Sequence, residues 1–193
     1  MVAQPQNQAA ATREQVEQAL RDSHMDDDTK LALGLQWLTA ARVGDILKAK
    51  ARCFHLQGPN LTVTFDAGKG VEARGPYSVH TAVTEPVLGL LRRRLAACQP
   101  ETLVIPPLAR HFERESLVID ALRSVDGKLS TRALRRGALQ AMAMQGTDMQ
   151  TLMQFSGHKN EETLKRYLNW GRMYGAGQVA GRQAATRALG LRA

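Results

Sequence analysis

Apolar residues near the start of the chain recur at the spacing of an α-helix. Leu31, Leu35 and Leu38 lie three or four residues apart, which places their side chains on one helical face. The pattern predicts a helix that begins after an acidic cluster, with Asp28 or Thr29 as its N-cap.

The flanking sequence extends this helical region in both directions. A short helix is predicted over residues 13–21, and a helical face through Ile46 and Leu47 is expected to end before Arg52. Residues 1–12 are rich in Gln and Ala without hydrophobic periodicity, so we expect a flexible tail there.

Alternation of apolar and polar residues replaces helical spacing in the middle of the chain. The alternating apolar positions are Phe54 and Leu56, then Leu61, Val63 and Phe65, then Tyr77 and Val79. The turn signals around them are Gly58-Pro59, Gly68-Lys69-Gly70 and Gly75-Pro76. This pattern predicts three short strands that form an antiparallel sheet.

Helical patterning returns after Glu85-Pro86 and covers the rest of the chain. The predicted helices run through Leu95, over residues 111–123, from a cap at Ser130 or Thr131 to about residue 145, over residues 148–155, and from a cap at Asn160 through Tyr167. The fold class is therefore α+β and mostly helical, with a small three-stranded antiparallel sheet packed on a helical core. We assign residues 13–170 to one domain and residues 171–193 to a tail or terminal helix.

The charge balance favours a polyanionic partner. The chain has 26 Lys and Arg against 18 Asp and Glu, a net charge of +8. Basic charge on this scale suits nucleic acid, although it also serves solubility alone.

Cysteine content and hydropathy limit the other classes. Cys53 and Cys98 are too few for a disulfide framework and lack the paired spacing of a zinc site, so we expect no metal and a reducing compartment. The longest apolar stretch, residues 31–41, is too short to span a bilayer, and the first residues have no signal-peptide core. We expect no membrane partner and a location inside the cell: the cytoplasm or nucleoid of a prokaryote, or the nucleus of a eukaryote.

Several short motifs stand in a distinctive order. The segment Thr131-Arg132-Ala133-Leu134-Arg135-Arg136-Gly137-Ala138 is followed by Ser156-Gly157-His158, and Tyr167 stands nine residues after His158. This order resembles the tyrosine recombinases of the phage integrase family, in which an HxxR motif precedes a Gly-His or Gly-Trp turn and then a tyrosine. Upstream, Ala41-Arg42-Val43-Gly44-Asp45-Ile46-Leu47 is similar to the family's first-arginine segment, and Lys69 lies between strands as the family lysine does.

Each matching residue also has an ordinary structural interpretation. Arg42, Lys69 and Arg135 fit solvated surface charges, His158 fits a helix terminus, and Tyr167 fits a core aromatic residue. Their common order and spacing from about residue 31 to residue 168 favour the functional interpretation.

The resemblance implies a catalytic domain that breaks and rejoins DNA without a cofactor. Arg42 and Arg135 would bind the nonbridging phosphate oxygens, because a guanidinium donates paired charge-assisted hydrogen bonds. His158 would add a hydrogen bond to the same phosphate, and Lys69 would protonate the departing 5′-oxygen. Tyr167 would attack the phosphorus, and its 3′-phosphotyrosyl bond would keep the energy needed for rejoining without ATP or a metal ion.

Arg132 departs from the family pattern. It stands where the family has His or sometimes Lys, and an arginine with a pKa above about 12 does not accept a proton. Arg132 is either a third cation at the phosphate or the mark of a domain that binds DNA without chemistry. A tyrosine with a pKa near 10 would then need His158, water or the phosphate to take its proton.

The resemblance also implies particular partners. Double-stranded DNA is the expected ligand, with Arg136, Lys159, Lys165 and Arg172 as candidate phosphate contacts beside Arg132. We expect a homo-oligomer on DNA, a tetrameric synapse, in which residues 171–193 dock on a neighbouring protomer. The family's N-terminal core-binding domain is expected to be absent from this chain, and the motif wording is similar to recombinases of eukaryotic mobile elements.

Three further functions stay open at this point. A DNA-binding module without catalytic activity would bind duplexes in a salt-sensitive way and form no covalent species. A relaxing enzyme of the type IB topoisomerase class would use the same nucleophile without pairing two DNA sites. A protein-interaction domain ranks last, because it leaves the ordered motif residues unexplained.

Overall fold

The computed structural model describes residues 9–109 and 111–168 and confirms the predicted fold class. Its helices are α1 (Arg13–Leu20), α2 (Asp27–Thr39), α3 (Val43–Leu47), α4 (Lys69–Arg74), α5 (Val87–Ala97), α6 (His111–Val125), α7 (Thr131–Met144), α8 (Met149–Ser156) and α9 (Glu161–Tyr167). The strands are β1 (Phe54–Gln57), β2 (Asn60–Phe65) and β3 (Tyr77–Ala82). No helix among these residues is long and apolar enough to cross a membrane.

The sheet is antiparallel with the strand order β1-β2-β3. Leu61, Val63 and Phe65 alternate into the core, because successive side chains of a strand point to opposite faces. On the other face, Thr62 pairs with His80 and Thr64 with Ser78. One side of the sheet therefore packs on the helices and the other is polar.

The predicted turn at Gly68-Lys69-Gly70 is wrong, because these residues lead into α4. The buried carboxylate of Asp45 accepts the Gly70 N–H at 3.0 Å and draws this segment onto α3. A Cβ at Gly68 or Gly70 would collide with the Asp45 carboxylate oxygens, and Gly68 has a φ of +110°. Close approach and backbone conformation thus both require glycine at position 68.

Helix α2 forms the centre of the molecule and contacts α1, α3, α5, α6, α7 and β3. Its N-cap is Asp26 rather than Asp28 or Thr29, since the Asp26 carboxylate accepts the Thr29 N–H at 2.9 Å. The buried Arg114 of α6 donates to Asp26 at 2.7 Å and to the Thr29 hydroxyl at 2.9 Å. These contacts hold α6 against the acidic first turn of α2.

Helices α7, α8 and α9 enclose a second, smaller core. Its buried members are Ala40, Ala138, Leu139, Leu152, Leu164 and Leu168. Ser130, one of the two predicted caps, and Asn160 cap α7 and α9 as expected, whereas Asp148, predicted as the first residue of α8, is its N-cap. Gly157 ends α8 in the left-handed conformation. This core fixes the turn between α8 and α9 near the start of α3.

The packed chain begins before the predicted domain boundary. Residues 9–12, assigned to the flexible tail by sequence, lie along α7: Ala11 is buried and its N–H donates to the Ala133 carbonyl at 2.9 Å. The apolar Ala11 side chain joins the main core, which explains this placement. Residues 1–8, the predicted C-terminal tail and Arg172 lie outside the described residues.

Candidate active site

Arg135 is a buried guanidinium at the junction of three elements. Its side chain is only 6% exposed. It donates to the Ala40 carbonyl at 2.5 Å and to the Ser156 carbonyl, so α7 is connected to the α2–α3 turn and to the end of α8. Burial is the main cause that lowers the pKa of Arg135, followed by the charge of Arg42. Two of its five N–H donors are thus occupied by the protein.

Arg42 lies beside Arg135 at the start of α3. It occupies the N-cap position, but its side chain makes no capping hydrogen bond and is exposed. The preceding Ala40 adopts a left-handed conformation with φ of 50°, and its carbonyl is the one bound by Arg135. The two arginines of the sequence motif therefore meet at a single turn of the chain.

His158 follows the α8 terminus and lies among positive charges. Burial lowers the pKa of His158 to about 4, assisted by Arg135, Arg42 and Arg74. Its Nδ1 atom is buried without a hydrogen-bond partner. At neutral pH the imidazole is thus uncharged, and Nε2 is the ring nitrogen left to meet a ligand.

Tyr167 lies next to His158 within the same chain. Their ring centroids are 5.1 Å apart, and the rings are inclined by 42°. The Tyr167 hydroxyl donates a long hydrogen bond of 3.4 Å to the Arg132 carbonyl. Its ring is half-buried because Leu164 and Leu168 on either side enter the small core.

Arg74, which lies in none of the sequence motifs, completes this group of cations. Its Cζ lies 3.3 Å above the centre of the Tyr77 ring, and an Nη atom donates to the Gln154 carbonyl at 2.7 Å. A Cβ at Gly157 would lie 2.5 Å from that Cζ, so the guanidinium is stacked between Tyr77 and the turn before His158. The sequence gives no signal for this arginine, because the pattern predicts turns at residues 68–70 and 75–76 and no helix between them.

Asp45 is a second residue whose role the sequence does not reveal. Besides the Gly70 N–H, it accepts the Tyr77 hydroxyl at 2.9 Å. Burial, with the charge of Asp45, raises the pKa of Tyr77 to about 12. A carboxylate within the apolar pattern of Val43, Ile46 and Leu47 is the signal that could have identified it.

Lys69 is the motif residue that α4 carries. Its side chain is exposed at the start of α4, and it makes no hydrogen bond or ion pair within residues 9–109 and 111–168. The Gly70 N–H donates to Asp45, and this bond holds the Lys69 backbone beside α3. Asp45 itself stands three residues after Arg42 in sequence. The structure thus anchors the segment that carries Lys69 and leaves the ammonium group open to solvent.

The remaining candidate DNA contacts differ in their surroundings. In the described part of the chain, the exposed Arg132 and Lys159 have no side-chain partner. Lys165 pairs with Glu161 at 2.7 Å and Glu162 at 3.5 Å. Arg136 departs most from its predicted role, because its guanidinium binds the Tyr167 and Ala9 carbonyls at 2.9 and 3.0 Å.

Arg42, Arg74 and Arg135 share one electrostatic property. None of the three forms an ion pair with a carboxylate of the described chain, whereas Arg52, Arg94 and Arg114 do. Clustered positive charge without acidic partners creates a binding site for an anion. Within residues 9–109 and 111–168, no group of three or more His, Cys, Asp or Glu side chains could hold a metal ion.

The sequence profile described as the phage integrase family matches residues 10–171. This chain belongs to the phage integrase family. The match includes every candidate site residue named above except Arg172. A comparison with curated protein sequences gives no match for this chain.

Solved structures of tyrosine recombinases share the fold of this phage integrase family member. XerA recombinase superposes with a TM-score of 0.66 at 15% identity, over 88% of this chain and 63% of that one. XerH recombinase in a post-cleavage complex with its palindromic difH substrate gives 0.66 at 16% identity, over 90% and 53%. The catalytic domain of bacteriophage HP1 integrase gives 0.56 at 17% identity, over 83% and 87%.

The first two of these matches concern only part of a larger protein. This chain spans 63% of the XerA chain and 53% of the XerH chain, but 87% of the isolated HP1 catalytic domain. The shared region is thus a catalytic-domain fold. The similarity to eukaryotic mobile elements stays a prediction.

Proposed function

We propose that this chain catalyses site-specific DNA recombination through a covalent 3′-phosphotyrosyl intermediate. The observation that carries the proposal is the unpaired cluster of Arg42, Arg74 and Arg135 around His158, with the Tyr167 ring 5.1 Å from that histidine. A phosphodiester would supply the negative charge that balances these three unpaired guanidinium groups. Fixed cationic donors at the reacting phosphate also stabilise the additional charge of the transition state.

The reaction exchanges one phosphodiester bond for another. The Tyr167 Oη attacks the phosphorus, the phosphorus–O5′ bond breaks, and the ammonium of Lys69 gives its proton to the departing 5′-oxygen. Free Nη and Nε donors of Arg42 and Arg135 bind the nonbridging oxygens, and Nε2 of His158 contacts the same phosphate. Attack by a 5′-hydroxyl on the phosphotyrosine reverses these changes and rejoins the strand.

Arg132 contributes a further cation rather than a base in this scheme. A water molecule or a nonbridging phosphate oxygen takes the phenol proton, because Nε2 of His158 donates its own hydrogen to the phosphate and Nδ1 is buried. His158 therefore acts as a neutral hydrogen-bond donor, in keeping with its pKa of about 4. Because the two rings are adjacent within one chain, the tyrosine acts in cis.

The expected partner is double-stranded DNA, bound by a homo-oligomer. Among the similar structures, a lambda integrase dimer is bound to a core site, and the Tn1549 transposon integrase is in complex with circular intermediate DNA. We extend such assembly to this chain as a tetrameric synapse inside the cell, with Lys159, Lys165 and Arg172 on the phosphate backbone. The clustered cations beside Tyr167 favour this function over the non-catalytic module, which Arg132 alone suggests, and over the relaxing enzyme.

A suicide-substrate assay tests the proposal. Nicked duplexes of varied sequence are incubated with the wild-type chain, Tyr167→Phe and the control Tyr174→Phe, and adducts are resolved on a denaturing gel. We expect adducts for the wild type and Tyr174→Phe, and none for Tyr167→Phe, which still binds duplex. An adduct with Tyr167→Phe, or duplex binding by the wild type without any adduct, would contradict the proposal.

A further inference from the structure

The guanidinium of Arg136 is directed at the backbone that carries Tyr167. Its Nε donates to the Tyr167 carbonyl at 2.9 Å, and its Cζ lies 4.9 Å from the centre of the Tyr167 ring. The side chain is partly buried there. Arg136 thus contacts both the main chain and the ring of one residue.

Helix α7 contacts Tyr167 at a second point. The Tyr167 hydroxyl donates to the carbonyl of Arg132, which stands four residues before Arg136 and therefore on the same face of the helix. The long 3.4 Å bond at the hydroxyl is readily exchanged for a ligand, whereas the charge-assisted bond at the carbonyl is the stronger one. Arg136 is the contact that holds the residue while its hydroxyl stays available.

The same guanidinium also binds the N-terminal segment, residues 9–12. An Nη atom of Arg136 donates to the Ala9 carbonyl at 3.0 Å, and the Ala11 N–H donates to the Ala133 carbonyl at 2.9 Å. Gly137 allows this approach, because a Cβ there would collide with the Ala11 backbone. The N-terminal segment, Arg136 and Tyr167 therefore form one continuous chain of contacts.

We propose that Arg136 is a positioning residue that fixes the backbone of Tyr167 for attack and makes its placement depend on the N-terminal segment. This inference rests on the proposed function of Tyr167 as the nucleophile. It replaces the predicted role of Arg136 as a phosphate contact, because two of its donors are directed at carbonyl groups of the protein. The planar fork of arginine can bind two carbonyls at fixed geometry, whereas a lysine ammonium cannot reproduce that fork.

Arg136→Lys separates the two roles, because lysine still binds phosphate. Arg21→Lys, a change at an exposed residue, is the matched control. We expect Arg136→Lys to bind uncleaved duplex within about twofold of the wild type and to form the adduct roughly 10- to 100-fold more slowly. Adduct formation at the wild-type rate would overturn the proposal. So would a loss of affinity by Arg136→Ala with a salt-dependence slope reduced by about one, the signature of a phosphate contact.

A readout independent of cleavage is the fluorine resonance of Tyr167 in the chain labelled with 3-fluorotyrosine, assigned by Tyr167→Phe. In Arg136→Lys we expect this resonance to move toward its position in the unfolded chain, and an unmoved resonance would overturn the proposal. Gly137→Ala displaces the N-terminal segment and should move it in the same direction, whereas Gly127→Ala, a change into open space, should not. If Gly137→Ala does not fold, Arg136→Lys still decides. If the wild type forms no adduct, the proposed function fails while this resonance still tests the positioning.

Discussion

Replacing His158 with Gln is expected to reduce the loss of stability that the chain undergoes in mild acid. The wild-type imidazole is neutral when folded, because burial and the charges of Arg135, Arg42 and Arg74 lower its pKa to about 4. In the unfolded chain the imidazole regains a pKa near 6.5. Below pH 6.5 the unfolded state therefore takes up a proton that the folded state rejects.

The sign and size of the effect follow from this difference. The contribution of His158 to stability is complete above pH 6.5 and is lost progressively as the pH falls toward 4, because the unfolded state binds more protons in that interval. A pKa change from 6.5 to about 4 corresponds to about 3 kcal/mol at about 1.4 kcal/mol per tenfold change in proton affinity. Since the ring is partly exposed, solvent screening reduces this to about 1–2 kcal/mol between pH 7 and pH 4.5.

Urea unfolding at pH 7 and pH 4.5 measures this effect. We expect the wild type to lose about 1–2 kcal/mol more than His158→Gln on acidification, since the carboxylates common to both chains titrate alike. His24→Asn, a change at an exposed histidine, serves as the control and should follow the wild type. Equal losses for wild type and His158→Gln would refute the lowered pKa that burial and the neighbouring arginines give His158.

Two further substitutions test the contacts that support the site. Gly157→Ala and Gly58→Ala both place alanine at positive φ, of +68° and +59°, but only position 157 faces Arg74; we expect Gly157→Ala to be less stable by a further 1–3 kcal/mol, roughly, in urea unfolding. Equal destabilisation of the two variants would argue against the stacked position of Arg74. Asp45→Ala leaves the Gly70 N–H and the Tyr77 hydroxyl without their acceptor and should lower the free energy of unfolding by about 2–4 kcal/mol. The exposed Asp120→Ala should change it little, and a similar small change for Asp45→Ala would contradict the anchoring of the Lys69 segment.

Local signals in the sequence predicted most of the secondary structure. Ser130, Asp148 and Asn160 cap their helices because a short polar side chain before an apolar period accepts an N–H of the first turn. The same rule placed the cap of α2 two or three residues too late, because Asp26, Asp28 and Thr29 are all suitable. Asp26 alone also binds the distant Arg114, a tertiary contact that no local pattern contains.

The site shows the same division between local and distant information. The order of Arg42, Arg135, His158 and Tyr167 predicted residues that the fold brings together. The role of Arg74 depends on α4, which forms because Asp45 binds the Gly68–Gly70 segment from another helix. Arg136 could not be separated from the phosphate-binding arginines, since the Tyr167 and Ala9 carbonyls that it binds lie 31 and 127 residues away in sequence.

The identity of the tyrosine that becomes joined to DNA decides whether Tyr167 is the nucleophile of a recombination reaction. The adduct formed on a nicked duplex is digested with trypsin and a nuclease, and the peptide that carries the residual nucleotide is identified by mass spectrometry. We predict the modification on Tyr167, with none on Tyr77 or Tyr174. Modification of another tyrosine, or a wild-type chain that binds duplex and leaves every tyrosine unmodified, would contradict this prediction.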